Sequence, residues 1–540
     1  MPADGLQEVL KEILSQIKVE PEIRVAGEQV FMTDELLEFY RQRDFEPLWN
    51  TVDTRGREQI RTALRYFATT PGNGLCSSDY HLPFFRDLLA HFTIDENYYG
   101  LPPLRWSGWY EILLTDALFH YSLHMIKGRV PADSIQEGWN LRKQQVNLAR
   151  VINYAFENNE LDKVLGDFQP AHTSYRGLKQ ALERYREIDS LGGWATIPDG
   201  ESLRPGMSDG RVPLLRTRLF LSGDLEVSPI DDSSRLQIAD IEALKRFQLR
   251  HGLNPDGVLG ERTLSALNVT VSERVSQIEL NMERWRWLPK SLGRKYLLVN
   301  IADFRISVVD AGKTVLSMPV VVGNSYRKTP VFSAHMTYLE FAPYWYVPKT
   351  ILEEDKLPLI RNDPTYIERK NYEMVSWDRQ TVVDPATIDW DAIDAESLPG
   401  LLRQKPGPWN ALGRVKFMLP NQYAVYLHDT NERHLFGQRN RQFSSGCIRL
   451  KRPAELARYL LEDKGWDDTD VADALASEKP KRVYLEKALP VHVLYWTAWV
   501  DDAGQVNFRE DGYGRDRDLA QALGSMTTGC VLHKQKLSMQ

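Results

Sequence analysis

Apolar positions recur at helical spacing through the first half of the chain and at alternating spacing through much of the second, and this change of period divides the sequence. Leu6, Val9, Leu10, Ile13 and Ile17 predict an amphipathic helix within residues 1–29. Residues 30–190 predict a helical scaffold domain. There Thr33 is the expected N-cap of ELLEFYRQR, and Tyr110, Leu113, Leu114, Ala117, Leu118 and Tyr121 share one face of a long helix. Residues 191–211, rich in Gly, Pro, Ser and Asp, read as a linker. Beyond it, VPLLRTRLFLSGDL and IEALKRFQLRHGLNPDGVLGERTLSALNV predict a small helical module over 212–270. Its expected core is Leu244, Phe247, Leu253, Val258, Leu259, Leu264 and Leu267, with turns at Asp256-Gly257 and Gly260.

A helix over 271–288, stopped by Pro289, leads into a mainly β domain spanning 271–488. Strands are expected at 296–301, 305–310, 314–323 and 336–347, between Gly, Asn and Pro turns. The strand pattern breaks off between Pro348 and Gly413, so an insertion is expected at about 350–412; one this long within a sheet domain is often a lid. Ala424-Val425-Tyr426-Leu427 resumes the alternation. A helix beginning near Pro453 and ending before Gly465 follows, then strands at 483–488 and 491–500. Residues 489–540 read as a strand extension and a polar tail, the last forty of them disordered or loosely docked. The fold class is α+β multidomain.

At 540 residues the chain is too long for one core. Its 67 basic and 74 acidic residues give a net charge of −7, spread without blocks, so neither a nucleic-acid face nor a polybasic membrane segment is expected. No apolar run is long enough for a membrane span; at most the protein is peripheral to a membrane. Three cysteines, Cys76, Cys447 and Cys530, exclude a disulfide scaffold, although Cys76 and Cys530 could pair in an oxidising compartment. Cys530 has His533 nearby, but that pair lies in the polar tail without a scaffold. Asp116, His120 and His124 recur every fourth residue and could in principle bind a metal. With no further ligand motif, a partly buried polar stripe is the preferred reading, and no metal or cofactor is expected.

The chemistry concentrates between Tyr423 and Leu450, YAVYLHDTNERHLFGQRNRQFSSGCIRL. His428 ends a strand-like run, and Cys447 follows the small residues Ser444-Ser445-Gly446, with a polar loop between them that can fold the thiol back towards the imidazole. A thiolate attacks a carbonyl, and an imidazole either takes its proton or lowers the thiol pKa from about 8.5. Gly446 lets backbone N–H groups approach the oxyanion, and Arg449 can organise the site or bind a substrate carboxylate. A bare Cys and His at this spacing would be a structural pair in most proteins; the flanking residues argue otherwise. His434 is the competing imidazole but sits in a polar loop, and the side chain of Asp429, next to His428, should point away from it.

His428, Ser445-Gly446-Cys447 and Ile448-Arg449-Leu450 resemble the active site of L,D-transpeptidases with a YkuD-type catalytic domain, the bacterial enzymes that cross-link peptidoglycan. LHDTNERHLF and FSSGCIRL are most similar to the large capped, YcbB-like branch of Gram-negative bacteria, and RKTP at 327–330 matches a turn between its early strands. The 212–270 module resembles a three-helix peptidoglycan-binding domain. Many smaller members have Ser-His-Gly-Cys where this chain has Ser-Ser-Gly-Cys, so a second histidine is missing; the family's base is the upstream one, which matches His428.

The resemblance implies a Cys447 nucleophile, a His428 base and acid, a main-chain carbonyl at Asp429 orienting the imidazole, 3-3 cross-links, no metal, and inactivation by carbapenems. It also implies a capping subdomain over the site. Ser445, Tyr426, Trp345 and Tyr346 are the substrate-contacting candidates, while Tyr366 and Trp377 line the groove or pack the cap. The implied partners are peptidoglycan stem peptides and other cell-wall synthesis enzymes, and the implied compartment is the periplasm. No basic segment followed by an apolar core opens the sequence, so either an export segment is expected to be missing from it or the start is misplaced; cytoplasmic residence is the weaker third reading. The same thioester resolved by water or by a lipoprotein lysine shares every named residue. A non-catalytic peptidoglycan-binding protein is the alternative of another class.

Overall fold

The computed structural model describes residues 3–16, 24–49, 53–91, 103–135, 146–226, 233–363 and 365–525. They form two compact units, one built from the chain up to Ser291 together with the segment after Thr497, the other from Leu292–Trp496. Ile17, Cys530 and His533 lie outside the described residues, so the expected Cys76–Cys530 pairing and the second Cys/His pair do as well.

In the first unit the helix Pro103–Lys127 is buried on almost every side rather than along one stripe. Helices Ala3–Gln16, Thr33–Gln42, Thr54–Ala68, Leu148–Glu157 and Leu161–Phe168 share its core, which includes Phe39, Phe67, Leu113, Leu118 and Leu165. Thr33 is the first helical residue and not the N-cap; Met32 holds that place without a side-chain cap. Asp116 holds the chain entering the helix, its Oδ1 accepting from Phe31 N at 3.0 Å and Met32 N at 2.7 Å. The stripe on the long helix is divided among protein partners: Asp116 Oδ2 meets His81 Nε2 at 2.9 Å, His120 Nδ1 donates to Asp79 O at 3.1 Å, and His124 Nδ1 lies 2.8 Å from the Tyr80 hydroxyl. Among the described residues no group of three such side chains is placed to hold a metal ion.

His81 gives this unit a pH signature. Burial disfavours its charge, but the hydrogen bonds it donates to Asp116 and Glu28 outweigh burial and raise its pKa to about 9. The folded value lies above the unfolded one near 6.5, so the stabilisation is complete below about 6.5 and is lost as pH rises through about 9. Thermal melts should show Tm falling over that interval, and less steeply in His81→Asn, whose side chain tolerates the φ of 53° found there.

Helices Val212–Leu221, Ile238–Arg250 and Glu261–Asn268 enclose a separate small core of Leu215, Leu219, Leu244, Phe247, Leu264 and Leu267. Val258, expected within it, is only half-buried. Residues 501–525 carry regular structure where disorder or loose docking was expected, and the end of the strand expected at 491–500 is a separate strand. Ala498–Val500 pairs with Val506–Phe508, and the helix Arg515–Ser525 follows, with Phe508, Tyr513 and Leu519 buried. Asn281 Oδ1 receives Thr497 N at 3.0 Å, and Gln277 Nε2 donates to Thr497 O and Arg509 O, fixing this return to the helix Val271–Arg286.

In the second unit the strands are β1 Lys295–Asn300, β2 Arg305–Asp310, β3 Lys313–Gly323, β4 Phe332–Phe341, β5 Trp345–Tyr346, β6 Tyr372–Val375, β7 Val382–Val383, β8 Leu401–Gln404, β9 Val415–Met418, β10 Leu427–His428, β11 Gln442–Ser444, β12 Ile448–Leu450 and β13 Lys481–Leu494. Nine of them form one sheet in the order β11-β3-β12-β10-β9-β4-β13-β1-β2, and pairing of β2 with β3 closes it on itself. Closure removes the open edges that a sheet of this size would otherwise expose. Buried Leu297, Leu339, Phe417 and Ile448 alternate with less buried neighbours, whereas Val320, Val321 and Val322, Leu427 with His428, and Val491 with His492 and Val493 are buried on both faces.

Four expected strands differ. The run 336–347 stops at Phe341 because Ala342 turns to a φ of 47°, and Trp345–Tyr346 joins another sheet. The two C-terminal strands are one, Lys481–Leu494, with a register irregularity between Tyr484 and Leu489. That strand ends where Asn300 takes both main-chain groups of Trp496, each at 3.1 Å. The run before His428 pairs only at Leu427–His428, since Ala424 adopts a φ of 52°.

The inserted segment has its own four-stranded sheet, β5-β8-β6-β7, and its own core of Trp345, Leu357, Ile360, Ile367, Met374, Trp390 and Leu402. Tyr426 packs against that core, so the insertion and the strand leading to His428 share one apolar contact.

Candidate functional site

β12 runs parallel to β10, with Leu427 opposite Ile448 and His428 opposite Arg449. Ile448 N donates to Tyr426 O at 3.1 Å, and extending the register by one residue sets Cys447 beside Tyr426. Directly paired residues project to the same face, so Tyr426, His428, Cys447 and Arg449 form a two-by-two patch on two adjacent strands. The thiol and the imidazole stand on its diagonal, with no hydrogen bond between them in this resting arrangement; the thiol donates a long contact to Ala424 O at 3.9 Å.

His428 is buried, and its Nδ1 lies 2.5 Å from Asp429 O. A carbonyl only accepts, so Nδ1 carries the proton and Nε2 presents a free lone pair. Burial, then Arg449 and Lys416, lower the imidazole pKa to about 3, against the opposing pull of the Asp429 carbonyl. Burial pushes the Cys447 thiol up, opposed by Tyr426, Lys416 and Arg449. Both groups are therefore neutral at rest, and the proton passes from sulfur to nitrogen only when a reaction drives it.

The Asp429 carboxylate works elsewhere, accepting from Arg414 N at 2.9 Å and Arg433 Nη1 at 2.8 Å. Arg449 Nη1 donates to Glu432 Oε2 at 2.5 Å, which ties the polar loop to β12. Trp345 is buried in the cap core, and its side chain faces the Tyr426 hydroxyl. Tyr346 is engaged within the cap, accepting at its hydroxyl from Arg403 Nη1 at 3.1 Å. Tyr366 stacks on Tyr372, whereas Trp377 and His434 are exposed.

The cysteine loop is held from a distance. Gly446 has a φ of 110°, open to glycine and strained for other residues. Its carbonyl accepts from Thr329 Oγ1 at 2.8 Å, and Thr329 Oγ1 in turn accepts from Gly323 N at 2.9 Å. Arg327 Nη1 donates to Ser445 Oγ at 2.9 Å while the same guanidinium grips Asp355 at 2.8 Å and also Glu354. The RKTP turn thus joins the cysteine loop to the first turns of the cap. Gly446 N–H is directed to Ser444 Oγ at 3.2 Å, whereas Cys447 N–H has no acceptor among the described residues. Sequence reasoning missed Thr329, Arg327, Lys416 and the Cys447 amide. For the first two the RKTP match was a usable signal.

Comparison with known proteins fits this geometry. Residues 294–483 match the family model of the L,D-transpeptidase catalytic domain, YkuD. The chain thus carries a YkuD-type L,D-transpeptidase catalytic domain together with a peptidoglycan-binding module, the latter matched at 241–267 by the model described as "Putative peptidoglycan binding domain". Residues 34–182 match a model described as a scaffold domain. A Haemophilus influenzae protein, "Putative L,D-transpeptidase", is 33% identical over 296 residues, covering 54% of this chain and 59% of that protein. The chain therefore spans less than two thirds of that relative's length.

Among solved structures, an L,D-transpeptidase from Xylanimonas cellulosilytica is 15% identical, covering 55% of this chain and 99% of that one at a TM-score of 0.19. L,D-transpeptidase 1 of Mycobacterium tuberculosis is 14% identical, covering 37% and 61% at a TM-score of 0.17. The fold described above rests on the strand pairing of this chain itself. Among the described residues no helix is long and apolar enough to cross a membrane.

Proposed function

We propose that the protein is a cysteine L,D-transpeptidase of the capped branch, acting in the periplasm on peptidoglycan. Cys447 Sγ attacks the carbonyl of an L-centre in a tetrapeptide donor stem while His428 Nε2 takes the thiol proton. The C–N bond to the terminal D-amino acid breaks, and His428 returns the proton to the departing amine. An amine of a neighbouring stem then displaces the thioester sulfur to give a 3-3 cross-link. The Cys447 N–H, which has no acceptor among the described residues, is better suited than Gly446 N–H to the oxyanion.

One observation carries this reading: a free thiol and an imidazole with an open Nε2 share one face of paired strands inside the matched catalytic domain. The module around 241–267 supports a wall substrate, since holding glycan beside the site would raise its effective concentration. The test is incubation with tetrapeptide-bearing muropeptides, read by mass spectrometry. Dimers with a 3-3 bond and free D-amino acid are expected. Tripeptide monomers alone would make it a carboxypeptidase, and unchanged substrate on folded protein would leave a wall-binding role.

A further inference from the structure

Strand register sets a single row of polar side chains on the face that holds the site. Arg482 on β13 stands opposite Glu340 on β4, Glu340 opposite Lys416 on β9, Lys416 opposite His428, and His428 opposite Arg449. The outer members of the row are paired. Glu340 faces Arg482 at 3.5 Å, and Arg449 holds Glu432 at 2.5 Å. Lys416, between them, has no carboxylate within ion-pair distance among the described residues. Its ammonium lies instead 4.1 Å from the centroid of the Tyr426 ring, the residue beside Cys447.

A half-buried ammonium with no carboxylate at ion-pair distance is costly to keep charged, and burial does lower the Lys416 pKa, opposed first by Glu340, whose ion pair is with Arg482, and then by Cys447. Negative charge developing on the thiol adds to that partial offset. Arg449, the other cation that acts on the thiol, has its Nη1 on Glu432, and Arg327, which reaches the cysteine loop at Ser445, is held by Asp355 and Glu354. His428 does not serve as the positive partner at rest, since its imidazole stays neutral.

We propose that Lys416 is a positioning residue that supplies the positive charge balancing the Cys447 thiolate, acting across the face of the Tyr426 ring. The inference rests on Cys447 being the nucleophile. In the step concerned the S–H bond breaks, the proton goes to solvent or to His428 Nε2, and the electron pair stays on sulfur until the S–C bond forms. Because the same charge opposes an imidazolium at His428, Lys416 favours a lone thiolate over a standing thiolate–imidazolium pair.

The experiment is the pH dependence of Cys447 alkylation by iodoacetamide on the full chain, read by intact mass, with Cys447→Ala as the blank. In Lys416→Met the midpoint should move upward by about one unit, and the rate near neutral pH should fall about tenfold. Lys416→Arg, which restores the charge, should recover most of the loss. Superimposed profiles for the wild type and Lys416→Met overturn the Lys416 proposal alone, as does a Lys416→Arg variant no better than Lys416→Met. A Cys447 that is never alkylated in the folded wild type brings down the nucleophile reading, and this proposal with it.

Discussion

Cys447→Ala is expected to lose cross-linking by at least about 10⁴-fold, because the thiol is the covalent centre of the proposed reaction and the loss of a covalent centre is not shared out among its neighbours. The fold should be nearly indifferent to the change. The Cys447 side chain is half-buried and touches Tyr426 as well as Ala424 O at 3.9 Å, but the substitution removes one small atom, so Tm should fall by no more than about 2–4 °C. The loop's own geometry depends on Gly446, Ser444 and Thr329 and not on the thiol. Turnover assayed beside a melt separates the two effects, and residual cross-linking near the wild-type rate would place the chemistry elsewhere.

His428→Gln should lower kcat by about 10²–10⁴, the usual contribution of a positioned proton carrier, with a smaller effect on KM. Its pH behaviour is more specific. Burial, Arg449 and Lys416 hold the imidazole pKa near 3, so the base stays unprotonated as pH falls until about that value. The acid limb of kcat/KM in the wild type should therefore contain no imidazole titration near 6.5. A limb with that midpoint, lost in His428→Gln, would mean that the imidazole is solvated in the free enzyme, contrary to the packing seen here.

Local sequence signals anticipated much of the architecture and pointed to the residues of the chemistry proposed here. The helical region, the small module, the β domain and its insertion each follow from a change of hydrophobic period, and Cys447 and His428 stood out because small residues and a strand flank them. What escaped depends on register and on long-range contacts, which periodicity does not encode. Thr329 holds Gly446 across 117 residues, and Lys416 reaches the site only because β9 aligns it with His428. Closure of the sheet by β2 on β3 and the return of residues 498–525 to the helix Val271–Arg286 are of the same kind. Thr33 falls one residue inside its helix, and the chain entering that helix is held by Asp116, distant in sequence. The break at Ala424 had no signal, since a left-handed alanine is rare and is imposed by its surroundings.

The most direct test of Cys447 as an acylated nucleophile is intact-protein mass spectrometry after incubation with a carbapenem, comparing the native chain with Cys447→Ala. A single covalent adduct on the native protein that is absent from the variant is the predicted result. No adduct on folded protein with a demonstrably reduced thiol would contradict the account and leave a wall-binding protein that keeps its site residues without the chemistry.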